Sequence, residues 1–139
     1  MNKSQFLHLP RNFTRTAILV LAIAALVLTA ACSPSGGQTS QADAEQGKAL
    51  ATQNGCLSCH SIDGSPMTGP TFLGLYGSQV TFQDGSTATA DDAYLHQAIV
   101  DPAAKIVSGY EAVMPAGYGS SLKEEEISAL IAFIKSLSK

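Results

Sequence analysis

The chain has 139 residues, 45% of them hydrophobic, and a formal net charge of −3. This length accommodates one domain and a targeting segment, and the absence of an internal repeat excludes a solenoid. The acidic balance argues against a nucleic-acid-binding protein, because such proteins meet phosphate with Lys and Arg.

Residues 1–31 are typical of an export signal. Lys3, Arg11 and Arg15 form a basic start, and residues 17–31 form an almost unbroken apolar run. This run of about 15 residues is shorter than the roughly 20 that span a bilayer. It therefore favours a cleaved signal peptide over an uncleaved signal anchor, and we expect the protein to be exported.

The segment Leu28-Thr29-Ala30-Ala31-Cys32 resembles a bacterial lipobox, with Thr29 where that pattern usually has Leu. The resemblance implies that Cys32 is lipidated and anchors the protein to a membrane on the periplasmic or extracytoplasmic side. The alternative is that Cys32 only flanks a cleavage site. Residues 32–42 are rich in Ser, Gly and Gln, which predicts a flexible linker between the anchor and a domain at 43–139.

A first helix is predicted from Ala44 to Gly55, with Asp43 as its N-cap. Gly47 lowers helix propensity by about 1 kcal/mol relative to Ala, and close approach of another helix is a reason to keep it. Four small or apolar residues share the face that we expect to be buried: Ala44, Gly47, Leu50 and Ala51.

The next five residues, Cys56-Leu57-Ser58-Cys59-His60, form a C-x-x-C-H motif. This motif is typical of covalent c-type haem attachment. Both thiols, of Cys56 and Cys59, add to vinyl groups of one haem, and the imidazole of His60 ligates the iron. The motif therefore predicts one haem c.

Two other interpretations of the motif are weaker. A thioredoxin-like redox site expects a strand before the motif and a βαβ setting, whereas the preceding stretch predicts a helix. A zinc site needs about four N or S ligands. Beyond the motif the chain offers only Cys32, His8 and His96, and the first two lie in or at the export signal.

Two later residues complete the candidate haem site. Pro70 follows a loop at 61–69, and its carbonyl is a candidate acceptor for the second ring N–H of His60, since ligand imidazoles usually donate to such a group. Met114 is the candidate second axial ligand, because Pro115 favours extended backbone before it and so places it in a loop. A His/Met pair raises the potential and suits electron transfer.

Two rival iron ligands are less suitable. Only six residues separate Met67 from His60, which leaves little chain to cross to the other haem face. His96 lies beside the apolar face of a predicted helix at 91–100, so we expect it to face solvent rather than to give a bis-His site. Four apolar residues after Pro70 are expected to line the haem: Phe72, Leu73, Leu75 and Tyr76.

Residues 80–89 alternate in polarity around Asp84-Gly85, which predicts a short β-hairpin. The helix at 91–100 is expected to be capped by Thr89 or Ala90 and to stop before Pro102. A final helix follows a capping box at 121–124, and we expect it to cross the first helix near Gly47, with Leu130 and Phe133 at the contact. Its apolar stripe comprises Ile127, Leu130, Ile131, Ile134 and Leu137.

This order of helix, C-x-x-C-H, Pro loop, helix, Met loop and closing helix resembles class I cytochromes c over roughly residues 44–137. Residues 68–77 and 101–115 resemble the cytochrome c domain of haem–copper oxidase subunit II, although the chain lacks that protein's copper domain and paired transmembrane helices. It is also similar to the monohaem lipoprotein cytochrome subunit of alternative complex III. The resemblance implies an all-α class I cytochrome c fold around one covalent haem, with a small β-hairpin insertion near residues 79–89.

The same resemblance implies an electron carrier rather than an enzyme. It would carry single electrons in a respiratory or photosynthetic chain, from a quinol-oxidising complex toward a terminal oxidase, as a tethered shuttle or as a subunit of a larger complex. The alternative is a haem enzyme or gas sensor with an open sixth position. Without residues 1–31 the chain keeps five Lys and all 11 acidic residues, a formal charge of −6, so a partner docked by electrostatics would present a positive patch. We expect redox proteins as partners and no small-molecule substrate.

Overall fold

The computed structural model describes residues 36–138. These residues form four α-helices, a 3₁₀ turn and a two-stranded hairpin, so the predicted all-α architecture with a small β insertion is confirmed. In chain order they are α1 (Gly36–Gln53), the 3₁₀ turn (Cys56–Ser58), β1 (Gln79–Thr81), β2 (Thr87–Thr89), α2 (Asp92–Val100), α3 (Tyr118–Ser121) and α4 (Glu124–Ser136). The predicted signal peptide and the predicted lipidation site at Cys32 lie outside the described residues.

Helices α1 and α4 cross at Gly47, as the sequence predicts. A Cβ atom at Gly47 would overlap the carbonyl oxygen of Ala129 and lie 2.8 Å from Cβ of Phe133. Only a glycine therefore allows the two helices to approach this closely. The residue of α4 nearest to Gly47 is Ala129 rather than the predicted Leu130. The predicted apolar faces are buried in large part: Ala44 and Leu50 of α1 and Leu137 after α4 are only partly buried. The main core comprises Ala51, Phe72, Leu95, Ile127, Leu130, Ile131, Phe133 and Ile134.

The first helix begins earlier than the sequence predicts. Helix α1 starts at Gly36, so Asp43 lies inside it and residues 36–42 of the expected linker are helical. An Asp caps a helix only where the chain before it leaves helical geometry. No Pro stands between Gly36 and Asp43 to force that exit.

The caps of the other two long helices also differ from the prediction. Helix α2 is capped by Asp91, whose carboxylate accepts a hydrogen bond from the backbone N–H of Tyr94 at 2.9 Å. An Asp carboxylate caps better than Thr or Ala. Helix α4 is preceded by Lys123 instead of Ser121, and the carboxylate of Glu126 accepts from the Lys123 N–H at 2.8 Å. Ser121 instead ends the short helix α3.

The hairpin is antiparallel and pairs Gln79 with Thr89 and Thr81 with Thr87. Val80 and Phe82 point inward and are 6% and 5% exposed, where they form a second small core with Ala90. The hairpin thus has apolar support beyond its own two strands, which a ribbon of this size requires. Over the described part of the chain, no helix has the length and apolar character needed to cross a membrane.

Candidate haem site

A cavity lies between helices α2 and α4. The loop after the 3₁₀ turn and the loop before α3 complete its wall. It is lined by all three functional side chains of the C-x-x-C-H motif and by the two residues predicted to complete the site: Cys56, Cys59, His60, Pro70 and Met114. Most of the remaining lining is apolar, and includes Phe72, Leu95, Ile99, Leu130, Phe133 and Ile134. Residues 58 positions apart in the sequence are therefore brought to one site.

The His60 ring is fixed by a hydrogen bond. Its Nδ1 lies 2.6 Å from the carbonyl oxygen of Pro70. Since a carbonyl can only accept, Nδ1 carries the proton and Nε2 is left as the lone-pair nitrogen. Burial lowers the pKa of His60 below its ordinary value, and the Pro70 hydrogen bond opposes this effect only in part. The result is a neutral imidazole, the form that ligates iron.

Stacking and close packing hold the same ring in place. Phe72 stacks on His60 with ring centroids 4.6 Å apart and planes inclined by 11°. Phe72 in turn meets Phe133 edge-to-face, with centroids 6.4 Å apart. Gly69 lies against the ring edge, where a Cβ atom would be 2.5 Å from Cε1 of His60. No sequence pattern predicts this role for Gly69, and its only signal is its place directly before Pro70.

The 3₁₀ turn places both cysteines beside this ring. The backbone N–H groups of Cys59 and His60 donate to the Cys56 carbonyl at 3.1 and 3.0 Å. In a 3₁₀ turn, residues three apart project to the same side, as two attachment points on one haem edge require. Both cysteines line the cavity, and burial raises the pKa of the Cys56 thiol. The turn follows Gly55, whose φ of 72° is left-handed and favours glycine.

Met114 lies in a loop, is half-buried and lines the cavity. The two rival ligands, Met67 and His96, do not line the cavity. Met67 is 38% exposed and is not part of the lining. His96 is also outside it, with its side chain 39% exposed and Nε2 3.1 Å from a carboxylate oxygen of Glu124.

Leu73 and Tyr76 do not line the cavity, so their expected place beside the haem is wrong, whereas Phe72 and Leu75 do line it. The Tyr76 ring lies elsewhere. It packs at the edge of the main core, and Nζ of Lys135 lies 4.7 Å from its ring centroid. Three other tyrosines line the cavity instead: Tyr94, Tyr110 and Tyr118. The Tyr118 hydroxyl donates to the Asn54 carbonyl at 3.1 Å, which ties the segment after Met114 to the start of the motif.

The donor set fits haem c. The mostly apolar cavity contains the thiols of Cys56 and Cys59, the oriented neutral imidazole of His60 and the thioether of Met114. These are the groups that attach and ligate a c-type haem. The same donors do not suit zinc. Residues 36–138 contain no cluster of three His, Cys, Asp or Glu side chains able to bind a metal ion directly.

Comparison with known families agrees with this geometry. The family model described as Cytochrome c matches residues 44–138. The chain matches no curated protein. Members of that family bind haem c covalently, and the spacing of Cys56, Cys59 and His60 is that of their attachment site. The match spans more than half of the chain, so this protein belongs to the cytochrome c family and is a haem-based electron-transfer protein with redox proteins as partners.

Proposed function

We propose that the protein carries single electrons with His60 and Met114 as the two axial ligands of its haem. It takes them from a quinol-oxidising complex and passes them toward a terminal oxidase. The observation that carries this proposal is the shared cavity: His60, oriented by Pro70 at 2.6 Å, and Met114 line the same apolar space.

Each residue has a distinct role in this proposal. When bound, haem c supplies one-electron ferric and ferrous chemistry. Cys56 and Cys59 attach it, and the Pro70 carbonyl keeps His60 in one tautomer and orientation. The Met114 thioether closes the sixth position, and the apolar lining keeps water away from the iron. The positions of the ligands would then change little between the ferric and the ferrous state.

Replacement of Met114 tests this assignment. In Met114→Ala, the far-red charge-transfer band of the ferric protein, which arises from a thioether bound to iron, should disappear, and the midpoint potential should fall because the thioether raises it. Met67→Ala is the matched control, since Met67 is exposed and outside the cavity. An unchanged band in Met114→Ala would show that another group is the sixth ligand.

The charge of the exported domain supports a protein partner with a positive surface. Without residues 1–31 the formal charge is −6. Three of the acidic residues form the first turn of α4, where Glu124 and Glu125 are exposed and Glu126 is partly buried. Charges of one sign steer encounter with an opposite surface and make the association rate fall with salt. A bimolecular rate of electron transfer that is independent of ionic strength would contradict this docking mode.

We further propose that Cys32 is lipidated after signal cleavage and holds the domain at the extracytoplasmic side of a membrane. The support is the small-residue stretch Ala30-Ala31 before Cys32, behind a basic start and an apolar run. Cys32→Ala should move the protein from the membrane to the soluble fraction, while Ser33→Ala should leave it membrane-bound. Membrane retention of Cys32→Ala would refute lipid anchoring.

A tethered shuttle and a fixed subunit of a larger complex are separated by extraction. The shuttle should be recovered alone after mild detergent solubilisation of the membrane. Recovery in a stable complex with other haem or iron–sulfur proteins would identify it as a subunit.

A further inference from the structure

The β-hairpin is joined to the loop that leads to Met114. We call residues 82–86 the hairpin tip and residues 101–117 the Met114 loop. Two backbone hydrogen bonds connect the hairpin to this loop: Gln83 N–H donates to the Ile106 carbonyl at 2.9 Å, and Ser108 N–H donates to the Thr81 carbonyl at 2.8 Å. Between these two bonds, Phe82 and Val107 form a single antiparallel bridge between the hairpin and the loop.

Side chains of the hairpin tip reinforce this connection. Nζ of Lys105 donates to Oδ2 of Asp84 at 2.6 Å and to Oγ of Ser86 at 3.2 Å. The amide of Gln83 donates to the carbonyl of Tyr110 at 2.7 Å, only four residues before Met114. The ammonium of Lys105 also lies 5.4 Å from the ring centroid of Phe82, a cation–π contact.

The hairpin tip is itself rigid. Oδ1 of Asp84 accepts from the N–H and the hydroxyl of Ser86 at 2.9 and 2.6 Å, which leaves Oδ2 aimed at Lys105. At the base of the tip, Phe82 is 5% exposed, and its ring centroid lies 6.0 Å from that of Tyr94 on α2. The tip is therefore a fixed support for the Met114 loop rather than a mobile appendage.

The segment around Met114 has few attachments of its own. Within the described residues 36–138, the one backbone hydrogen bond of residues 111–116 is local, from Val113 N–H to the Glu111 carbonyl at 2.9 Å. Pro115 has no N–H to donate. The placement of Met114 thus depends on attachments on its two sides: the hairpin tip before it and the Tyr118 hydroxyl after it.

We propose that the hairpin tip is a positioning element for Met114, which holds the thioether over the cavity through Lys105 and Tyr110. This inference rests on the proposed function, in which Met114 is the sixth iron ligand. Asp84 and Gln83 are positioning residues, since neither lines the cavity. Their loss leaves the haem attached and raises the fraction of molecules in which Met114 has left the iron.

An added ligand measures that fraction directly. Imidazole binds ferric haem only where the sixth position is open, so its apparent dissociation constant equals the intrinsic constant divided by the open fraction. A variant that doubles the open fraction therefore doubles the apparent affinity for imidazole. Global stability, measured by circular dichroism, reports separately on unfolding.

The test compares the holoprotein of Gln83→Ala/Asp84→Asn with that of Asp63→Asn. Asp63 makes the same local turn, accepting from the N–H and hydroxyl of Ser65 at 2.9 and 2.7 Å, but lies in the loop at 61–69 rather than on the hairpin. We expect the hairpin variant to bind imidazole about two- to tenfold more tightly than wild type, and Asp63→Asn to match wild type. Lys105→Gln should weaken Met114 ligation, and Lys105→Arg should restore it because it keeps the charge.

Equal imidazole affinity in wild type and in the hairpin variant would overturn the inference, as would an equal gain in Asp63→Asn. The far-red band of the wild type is recorded first. Its presence together with unchanged imidazole affinity refutes the positioning role alone. Its absence refutes Met114 ligation, and with it both the proposed function and this inference.

Discussion

At the scale of single residues, the site depends on how closely His60 is held. A carbonyl, an aromatic ring and a glycine each act on it: Pro70 accepts from Nδ1, Phe72 stacks on the face, and Gly69 leaves room at the edge. Ligand imidazoles oriented by such outer contacts keep one tautomer and bind their metal more strongly. These three contacts therefore hold His60 in the orientation in which it would ligate the iron.

Gly69→Ala should displace the imidazole, because the added Cβ would lie 2.5 Å from Cε1 of His60. We expect a loss of about 1–3 kcal/mol in unfolding free energy and a haem spectrum altered in both oxidation states. Gly77→Ala is the matched control. Gly77 has a φ of +81° but nothing within 4 Å of its added Cβ, so it carries backbone strain alone. A wild-type spectrum and stability for Gly69→Ala would contradict the packing argument.

At the scale of elements, the fold is fixed by the crossing of α1 and α4. Gly47 lets the α1 backbone approach Ala129 and Phe133, and this crossing supports Phe133, which in turn packs on Phe72. The contact thus connects the helix crossing to the ring that stacks on His60.

Gly47→Ala should destabilise the protein although it improves helix propensity by about 1 kcal/mol. The added Cβ would overlap the Ala129 carbonyl, and overpacking of this kind costs about 1–3 kcal/mol. Gln46→Ala, at an exposed position of the same helix, should be neutral or slightly stabilising. Chemical unfolding of the two variants separates the effect of helix propensity on the free energy of unfolding from the effect of packing. A higher free energy of unfolding in Gly47→Ala than in wild type would refute the close crossing of α1 and α4.

A second link between elements is sensitive to pH. Nζ of Lys135 on α4 donates to both carboxylate oxygens of Asp92 on α2, at 2.9 and 3.1 Å, and these hydrogen bonds lower the pKa of Asp92. A carboxyl whose pKa is depressed by folding stabilises the protein above its unfolded pKa of about 3.9, and this contribution is lost as the pH falls.

Asp92→Asn should therefore lower the melting temperature at neutral pH by a few degrees at most, because the pair is exposed. The difference in melting temperature between Asp92→Asn and wild type should shrink as the pH is lowered through about 4 and below. Glu111→Gln, at another exposed acid, serves as the control. A difference that is constant over pH would show that the ion pair is not its cause.

The sequence predicted what local patterns determine. The period of α4 identified its buried stripe, Asp84-Gly85 identified the hairpin, and Gly47 identified a helix crossing. It missed what depends on distant parts of the chain. Nothing local shows that Tyr76 faces away from the cavity or that Gly69 meets the His60 ring, and the exact cap of α4 depends on Ser121 being used by α3.

At the scale of the whole molecule, the described residues form a small helical shell around one cavity, with the two proposed axial ligands in loops that the fold holds in place. His60 is held by the loop that ends at Pro70. Met114 is held by the hairpin before it and by Tyr118 after it. A closed iron site of this kind suits electron transfer, whereas catalysis or gas sensing needs an open position.

Carbon monoxide binding to the dithionite-reduced holoprotein tests this central claim most directly. Carbon monoxide binds ferrous haem only at an open or readily opened sixth position. With Met114 on the iron, the wild-type absorption spectrum should not change on exposure to carbon monoxide, and Met114→Ala should bind it rapidly. Ready binding by the wild type would contradict the electron-carrier account and favour a haem enzyme or gas sensor.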